Sequence, residues 1–428
     1  MIIVDTALAK RHEEGNPVRV ALVGAGFIGR GVAFQIQNYV KGMRLVAVSN
    51  RTLSKAEQAL REAGVSEINT VETVAQLEES IAKGRSAITD DVMLLCKADG
   101  IDVIIEATSD IEYTAHLATN AIKYKKHIVI MNADLDATVG PILKVHADRA
   151  GVVISATDGD QPGAMMNLYR FVKTIGYNPV LVGNMKGLQD FYRTPDTQRE
   201  FAAKHGLSPK MATSFADGTK ISMENTLVAN ATGFGVGRRG MYGPKCDHVN
   251  ESKDLFSLDK LLNGGIVDYV LGAEPGPGVF VLGYSDDPHR KPYMRYYKLG
   301  EGPLYVFYTP YHLASLEVPI TAARAVLFQD ASVTPIAGPV CDVITVAKRD
   351  LKAGEVLDGI GGFNCYGMIE NTKTCQNDNL LLMGLSEGCL LKNDIPKDQA
   401  ITNGDVEKPE SRLVDKLRAE QDAHFRVS

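Results

Sequence analysis

The six cysteines of this 428-residue chain, Cys96, Cys246, Cys341, Cys365, Cys375 and Cys389, form no CxxC pair. Neither a zinc ribbon nor a redox dithiol is therefore expected. Four of them fall in the last quarter, where a disulfide scaffold is the alternative to the reduced thiols usual in large cytosolic chains. Positive charge is not in excess: 46 Lys and Arg face 52 Asp and Glu, a net of -6. With no basic footprint, nucleic acid is not an expected partner. Long apolar runs are also missing. The opening segment, MIIVDTALAKRHEEGNP, has a short apolar run followed by mixed charges, which reads as neither a signal peptide nor a membrane span. No membrane association is expected, and the cytoplasm is the expected location. No long stretch combines low hydrophobicity with high charge, so a disordered tail is not expected. What remains is 45% hydrophobic and 23% charged, the balance of a globular protein whose length suits two or three domains.

Pro17 breaks the chain, and Val18, Val20, Leu22 and Val23 then form a short apolar strand pattern. Gly24, Ala25, Gly26, Phe27, Ile28 and Gly29 follow, and a helical pattern with Val32, Ile36 and Val40 opens at once. Strand, glycine-rich turn and helix in that order are the context of a dinucleotide-binding fingerprint. Gly24 suits the tight turn, Gly26 a close backbone approach to pyrophosphate, and Gly29 close helix packing. The helix N-terminus adds free N–H groups and a positive dipole end.

The second strand, Leu45–Ser49, ends in Asn50, Arg51 and Thr52, with no Asp or Glu for a ribose 2′-hydroxyl. Arg51 can pair with a 2′-phosphate and Asn50 can hydrogen-bond it, so NADP is favoured and NAD is the alternative. The bland reading leaves Arg51 as a solvated loop residue. Val103–Ile105 leads to Glu106, Ala107, Thr108 and Ser109, and His127–Met131 leads to Asn132, Ala133 and Asp134. Thr108 and Asn132 thereby join the cofactor-binding candidates at the carboxyl edge of a parallel sheet. Residues 53–100 read as a long insert whose acidic stretch, Val71–Lys83, is a solvated face. The E-K-P motif of the glucose–fructose oxidoreductase group, with its catalytic lysine, is missing: Met131, Asn132 and Ala133 stand there.

A further strand, Val152–Ile154, leads into Asp158, Gly159, Asp160, Gln161 and Pro162, and an apolar helix pattern follows. Asp160 is equally readable as a helix N-cap and, with Asp158, as a substrate contact. Lys186 follows a buried strand between Gly183 and Gly187, where it can serve as a general acid, anchor an anion or simply extend into water. Glu224, Asn225, Asn230 and Thr232 lie in a stretch of few charges. Arg238, Arg239 and Lys245 cluster in a glycine-rich segment suited to a phosphate or carboxylate, or to a mobile surface loop. The runs GGIVDYVLG, PGVFVLGY and GPLYVFYTPYHL predict a second, partly antiparallel sheet. His312 and Glu317 lie near a strand-to-helix junction, where a lone histidine is more often structural.

Beyond Gly338, the LKAGEVLD and IPKDQAIT pieces resemble each other and are similar to a SAF domain, a small β-rich module in which catalytic residues are not expected. Arg412–His424 predicts a charged helix. GAGFIG, IIEATS, MNADLDATVGP, DGDQPG, NMKGLQDFYRTPD, GMYGPK, GVFVLG, PYHLASLEVP and this terminal module together resemble the predicted homoserine dehydrogenase family with a SAF domain. One branch of it, the 1-deoxyxylulose 5-phosphate reductoisomerase-like enzymes, uses NADPH to isomerise and reduce that sugar phosphate. The resemblance places Asp160, Lys186, Arg239 and Lys245 around the substrate. Gln161 stands where that branch has an acidic residue, and Asn184 where it has a second lysine. No metal site is expected here.

The fold expected is α/β: a Rossmann dinucleotide-binding domain (1–155), an α+β substrate and dimerisation domain (156–335), and a small β-rich SAF-like domain with a terminal helix (336–428). The function expected is hydride transfer between NADP(H) and a small polar hydroxy or carbonyl compound, such as a sugar phosphate. Lys186 is expected to transfer the proton and Asp160 to orient it, with Asp158, Gln161, Arg239 and Lys245 at the substrate. Cofactor contacts are expected from Gly24, Gly26, Phe27, Ile28, Gly29, Asn50, Arg51, Thr108 and Asn132. The competing readings are a homoserine or sugar-alcohol dehydrogenase and a non-catalytic cofactor-binding protein. By analogy the assembly is a homo-oligomer.

Overall fold

The structure is a computed structural model that describes residues 3–426. Helix α1 (Val4–Glu13) precedes strand β1 (Val18–Val23). There follow α2 (Phe27–Tyr39), β2 (Met43–Ser49), α3 (Leu53–Glu62), β3 (Ile68–Thr70), α4 (Val74–Ala82), β4 (Ser86–Thr89) and α5 (Val92–Lys97). Next come β5 (Val103–Glu106), α6 (Ile111–Lys123), β6 (His127–Ile130), α7 (Ala133–Ala150) and β7 (Ile154–Ala156). The seven strands form one sheet in the order β3-β4-β2-β1-β5-β6-β7, every neighbouring pair parallel. Apart from Glu106 at the end of β5, the buried residues of β1 and β5 are apolar because helices cover both faces, which leaves no solvated side to alternate toward. The strand order reverses between β1 and β5, and ligands of open parallel sheets bind at the carboxyl ends beside such a reversal.

Residues 53–100 are not an insert. They supply β3 and β4, which extend this sheet beyond β2. The short SAIT run of β4 is fully buried, too brief to show a period. The acidic stretch is only half a solvated face: Leu77 and Ile81 of α4 are buried, while Glu78 and Glu79 are not.

The middle of the chain begins with α8 (Gln161–Thr174), β8 (Asn178–Lys186), α9 (Arg199–His205), α10 (Pro209–Ala216), α11 (Thr219–Thr232) and α12 (Leu258–Leu262). It continues through β9 (Ile266–Leu271), β10 (Gly278–Tyr284), α13 (Lys291–Tyr296), β11 (Leu304–Thr309) and α14 (Ala314–Phe328). β11, β10, β8 and β9 form a second sheet in that order, antiparallel except for the parallel β8–β9 pair. α11 is buried from Ile221 to Ala231, wedged against α7, α8 and this sheet. One helix of the expected 156–335 unit packs outside it. α14 crosses back onto the first sheet, where Val318, Ala322 and Ala323 share a core with Val20, Leu22 and Ile36. Small residues permit the close approach: Gly31 of α2 faces Ser315.

The last part holds β12 (Cys341–Ala347), β13 (Cys365–Asn371), α15 (Thr372–Asn377), β14 (Leu390–Leu391), β15 (Val406–Glu407) and α16 (Leu413–His424). β12 and β13 pair antiparallel, and Leu351 bridges Ile395, joining the two similar pieces of sequence. All six cysteines are free and buried, so no disulfide braces this region. Its Leu351, Leu357, Leu381 and Leu391 share one core with Leu117, Ile128 and Leu143 of the first body.

α16 completes α7. Pro141 inside α7 supplies no N–H and interrupts the helical ladder. The neighbouring groups turn to α16: the Ile142 N–H donates to Gln421 Oε1 (3.2 Å) and Arg418 Nη1 donates to the Thr138 carbonyl (3.3 Å). Arg418 also forms a buried bidentate pair with Asp342 of β12. Glu112 accepts the Leu413 and Val414 N–H groups at the start of α16, a favourable place for negative charge.

Candidate functional site

β1 delivers its chain end to Gly24, whose φ of 99° is left-handed. A Cβ on Gly24 would press on the Ala107 carbonyl oxygen at 2.5 Å, and one on Gly29 would overlap the Gly24 carbonyl oxygen. Only glycine fits either place. Gly26 differs: it is the extended N-cap of α2, and a Cβ there would meet nothing within 4 Å. No side chain caps α2. The first-turn N–H groups of Phe27, Ile28 and Gly29 thus open onto bare space at the sheet's carboxyl edge, an arrangement that fits an anionic pyrophosphate.

Asn50 braces the loop: its Oδ1 accepts the Ala25 N–H (3.1 Å) and its Nδ2 donates to the Thr52 carbonyl (2.9 Å). Arg51 is exposed beside it, and its charge reaches Tyr113 of α6. At the end of β5, Glu106 is fully buried. It accepts bonds from the Thr108 N–H and hydroxyl, the Thr114 hydroxyl and the Asn132 N–H. Burial pushes its carboxyl up to about 7 against those bonds. Asn132 caps α7, accepting the Asp134 and Leu135 N–H groups through Oδ1. Thr108 and Asn132 therefore frame one buried carboxylate at the switch between strands.

Facing this edge, Asp160 caps α8, its Oδ1 accepting the Gln161 N–H (2.9 Å). Asn184 of β8 donates through Nδ2 to Gln161 Oε1 (2.6 Å) and Glu224 Oε2 (3.2 Å), and its Oδ1 accepts from Asn225 Nδ2 (2.7 Å). Lys186, at the last position of β8, pairs with Glu224 Oε2 at 3.2 Å. The Gln161 amide approaches His312 Nε2 at 3.5 Å, and His312 Nδ1 lies 3.2 Å from the Gly159 carbonyl. His312 reaches this point because the chain crosses over just before α14. A chain of polar contacts therefore runs His312–Gln161–Asn184–Glu224–Lys186, drawn from four separate segments.

Two expected substrate residues have partners within the protein. Asp158 is buried, and its carboxylate is taken up by Arg324, Asn167, Thr321 and Ser332. It ties α8 to α14, with no oxygen left for a substrate. Arg239 is held by Glu370 of β13 (2.9 Å) and Asp378 (3.8 Å), so it braces the C-terminal part. Lys245 is exposed and bridges Leu271, which is the register partner of Lys186. It is thus two strand spacings from Lys186, about 10 Å.

Two further residues escaped sequence reading. Glu224 lay in view without a role, and Lys220 drew no attention at all. Both lie on α11 one turn apart, the charged residues of an otherwise apolar and small-polar helix. That contrast was the available signal. Among the described residues no group of three or more His, Cys, Asp or Glu could hold a metal ion, and no helix is long and apolar enough to cross a membrane.

Two family models match parts of the chain. Residues 24–154 match the family model described as homoserine dehydrogenase, NAD binding domain, and residues 159–318 match that described as oxidoreductase DRL, catalytic domain. A homoserine dehydrogenase of Bacillus subtilis is 26% identical over 136 residues, 31% of this chain. The matched region spans only 28% of that relative's length. Among solved structures, an NAD binding oxidoreductase from Klebsiella pneumoniae is 19% identical, covering 41% of this chain and 44% of its own, with a TM-score of 0.29. A 1-deoxy-D-xylulose 5-phosphate reductoisomerase from Zymomonas mobilis, in complex with NADPH, is 14% identical, covering 72% and 80%, with a TM-score of 0.40. The chain thus carries one region similar to the NAD-binding domain of homoserine dehydrogenases and one similar to an oxidoreductase catalytic domain.

Proposed function

We propose that this oxidoreductase prefers NADP(H) and acts on a small polar hydroxy or carbonyl compound held between the glycine loop and the end of β8. The observation that carries the proposal is the polar chain from His312 to Lys186, beside the edge where Glu106 ends β5 and Asn132 caps α7. Gly26, Phe27, Ile28 and Gly29 would hold the pyrophosphate, and Arg51 the 2′-phosphate. Bound there, the nicotinamide supplies or accepts the hydride. The chain's own residues do the rest. Glu224 anchors the Lys186 ammonium through one N–H, and the others are free to donate to a substrate oxygen. Lys186 moves the proton to or from that oxygen. Asn184 and Asn225 fix Glu224 and Gln161 in place, and Asp160 sets the start of α8, so that Gln161 can orient the substrate.

Asp160 therefore acts through the helix start rather than on Lys186 directly. Arg239 is engaged by Glu370, while Lys245 is exposed at the rim. That favours homoserine or a sugar alcohol over a sugar phosphate as the second reading within the same chemistry. The test is turnover of NADPH and NADH, and of their oxidised forms, against homoserine, sugar alcohols and 1-deoxyxylulose 5-phosphate. NADPH-dependent turnover of at least one, lost in Lys186→Met with cofactor still bound, is expected. Full turnover by Lys186→Met would remove the role given to that lysine. Cofactor binding with no hydride exchange on any compound would favour a non-catalytic protein.

A further inference from the structure

Lys220 is the second residue of α11 and lies at the meeting of three helix starts. α7 begins at Asn132, α8 at Asp160 and α11 at Gly218. The start of α11 is fixed on both sides: Asp217 is buried against Lys348, and the Thr219 hydroxyl accepts the Gly367 N–H. Lys220 is thus held by a rigid element. It is half-buried, and among the described residues its ammonium has no hydrogen bond or ion pair. Yet four carboxylates act on it: Asp134 and Glu106 from the first body, and Asp160 and Glu224 from the second. Burial alone would push this lysine down, but the four together outweigh it and hold it above the ordinary lysine value. Asp134 shows the same incompleteness from the other side, because its Oδ1 is buried with no partner.

Lys220 lies one turn before Glu224, which holds Lys186, and α11 packs on α7, whose first turn carries Asp134; an ammonium with protons to spare at that place has a specific use. When a carbonyl carbon receives a hydride, its oxygen gains negative charge, and a fixed donor at that oxygen lowers the barrier. We propose that Lys220 is a catalytic residue that donates a hydrogen bond to the oxygen of the reacting carbon and stabilises its charge, while Lys186 moves the proton. Lys220 itself stays protonated throughout. The proposal rests on the hydride-transfer reading above.

The test uses the full chain as wild type, Lys220→Met and Lys220→Arg. Three readouts are taken: melting temperature, NADPH affinity by fluorescence titration, and the pH profile of kcat with whichever panel compound the wild type turns over. Lys220→Met is expected to melt and bind NADPH like the wild type, with kcat lower by about 100-fold. The profile should keep its shape at a lower level, because a group that never releases its proton adds no limb. Lys220→Arg should recover part of the loss. The proposal is overturned if Lys220→Met keeps kcat within threefold. It is equally overturned if the loss is matched by a loss of NADPH affinity or melting temperature that Lys220→Arg does not repair, the mark of a structural role. A wild type that binds NADPH and turns over no compound would sink the hydride-transfer reading instead, and the assignment of Lys220 with it.

Discussion

Adding one methyl group at Gly26 separates folding from cofactor binding more cleanly than any other change in the glycine loop. The backbone at Gly26 has φ -74° and ψ -169°, open to any residue, and a Cβ there meets no atom within 4 Å. Alanine is a poorer N-cap than glycine, but it also stiffens the unfolded chain, so the two effects offset to within about 1 kcal/mol. Gly26→Ala should therefore fold with nearly unchanged stability in urea. Its methyl, however, occupies the space onto which the Phe27, Ile28 and Gly29 N–H groups open. Hydrogen bonds to a charged group are worth about 1.5–3 kcal/mol each. Loss of two of them weakens binding by roughly 3 kcal/mol or more, at least about 100-fold in Kd. NADPH fluorescence titration reads this directly. Gly29→Ala is the contrast, because its Cβ would overlap the Gly24 carbonyl and the protein should lose stability along with binding. A folded Gly26→Ala that binds NADPH within threefold of the wild type would refute the assignment of this loop to the pyrophosphate.

Three further outcomes are expected. Arg51→Ala should weaken NADPH binding about 10-fold, through loss of one phosphate contact worth about 1.4 kcal/mol, and leave NADH unchanged; equal loss for both would return Arg51 to the solvent. Arg418→Met should cost about 3–5 kcal/mol in urea unfolding, since it strands Asp342 in the core, and the double change Arg418→Met with Asp342→Leu should recover most of it. Glu106, pushed up to about 7 by burial, binds more protons folded than unfolded. Stability should therefore fall as pH rises from about 4.5 through 7, by up to about 3 kcal/mol, and Glu106→Gln should flatten that slope.

Local pattern was enough for much of this protein. The apolar run before GAGFIG, the glycines and the helix behind them can only be read one way, because turn, close packing and anion approach are each dictated within a dozen residues. Asp160 as an N-cap, the strands β9, β10 and β11, and the terminal helix followed from equally local rules. β3 and β4 were missed because three or four buried residues show no period. The partners of Asp158 and Arg239 were out of reach because nothing nearby in sequence reveals that Arg324 and Glu370, more than a hundred residues away, pair with them. The same limit hid Lys220, whose four carboxylates come from four different segments. The sequence by itself determined where a dinucleotide could be gripped, since that grip is one turn of backbone. Tertiary structure alone decided which charges face the open edge and which are consumed inside, because partner choice depends on how the crossover into α14 and the closure of α16 over Pro141 bring distant segments together.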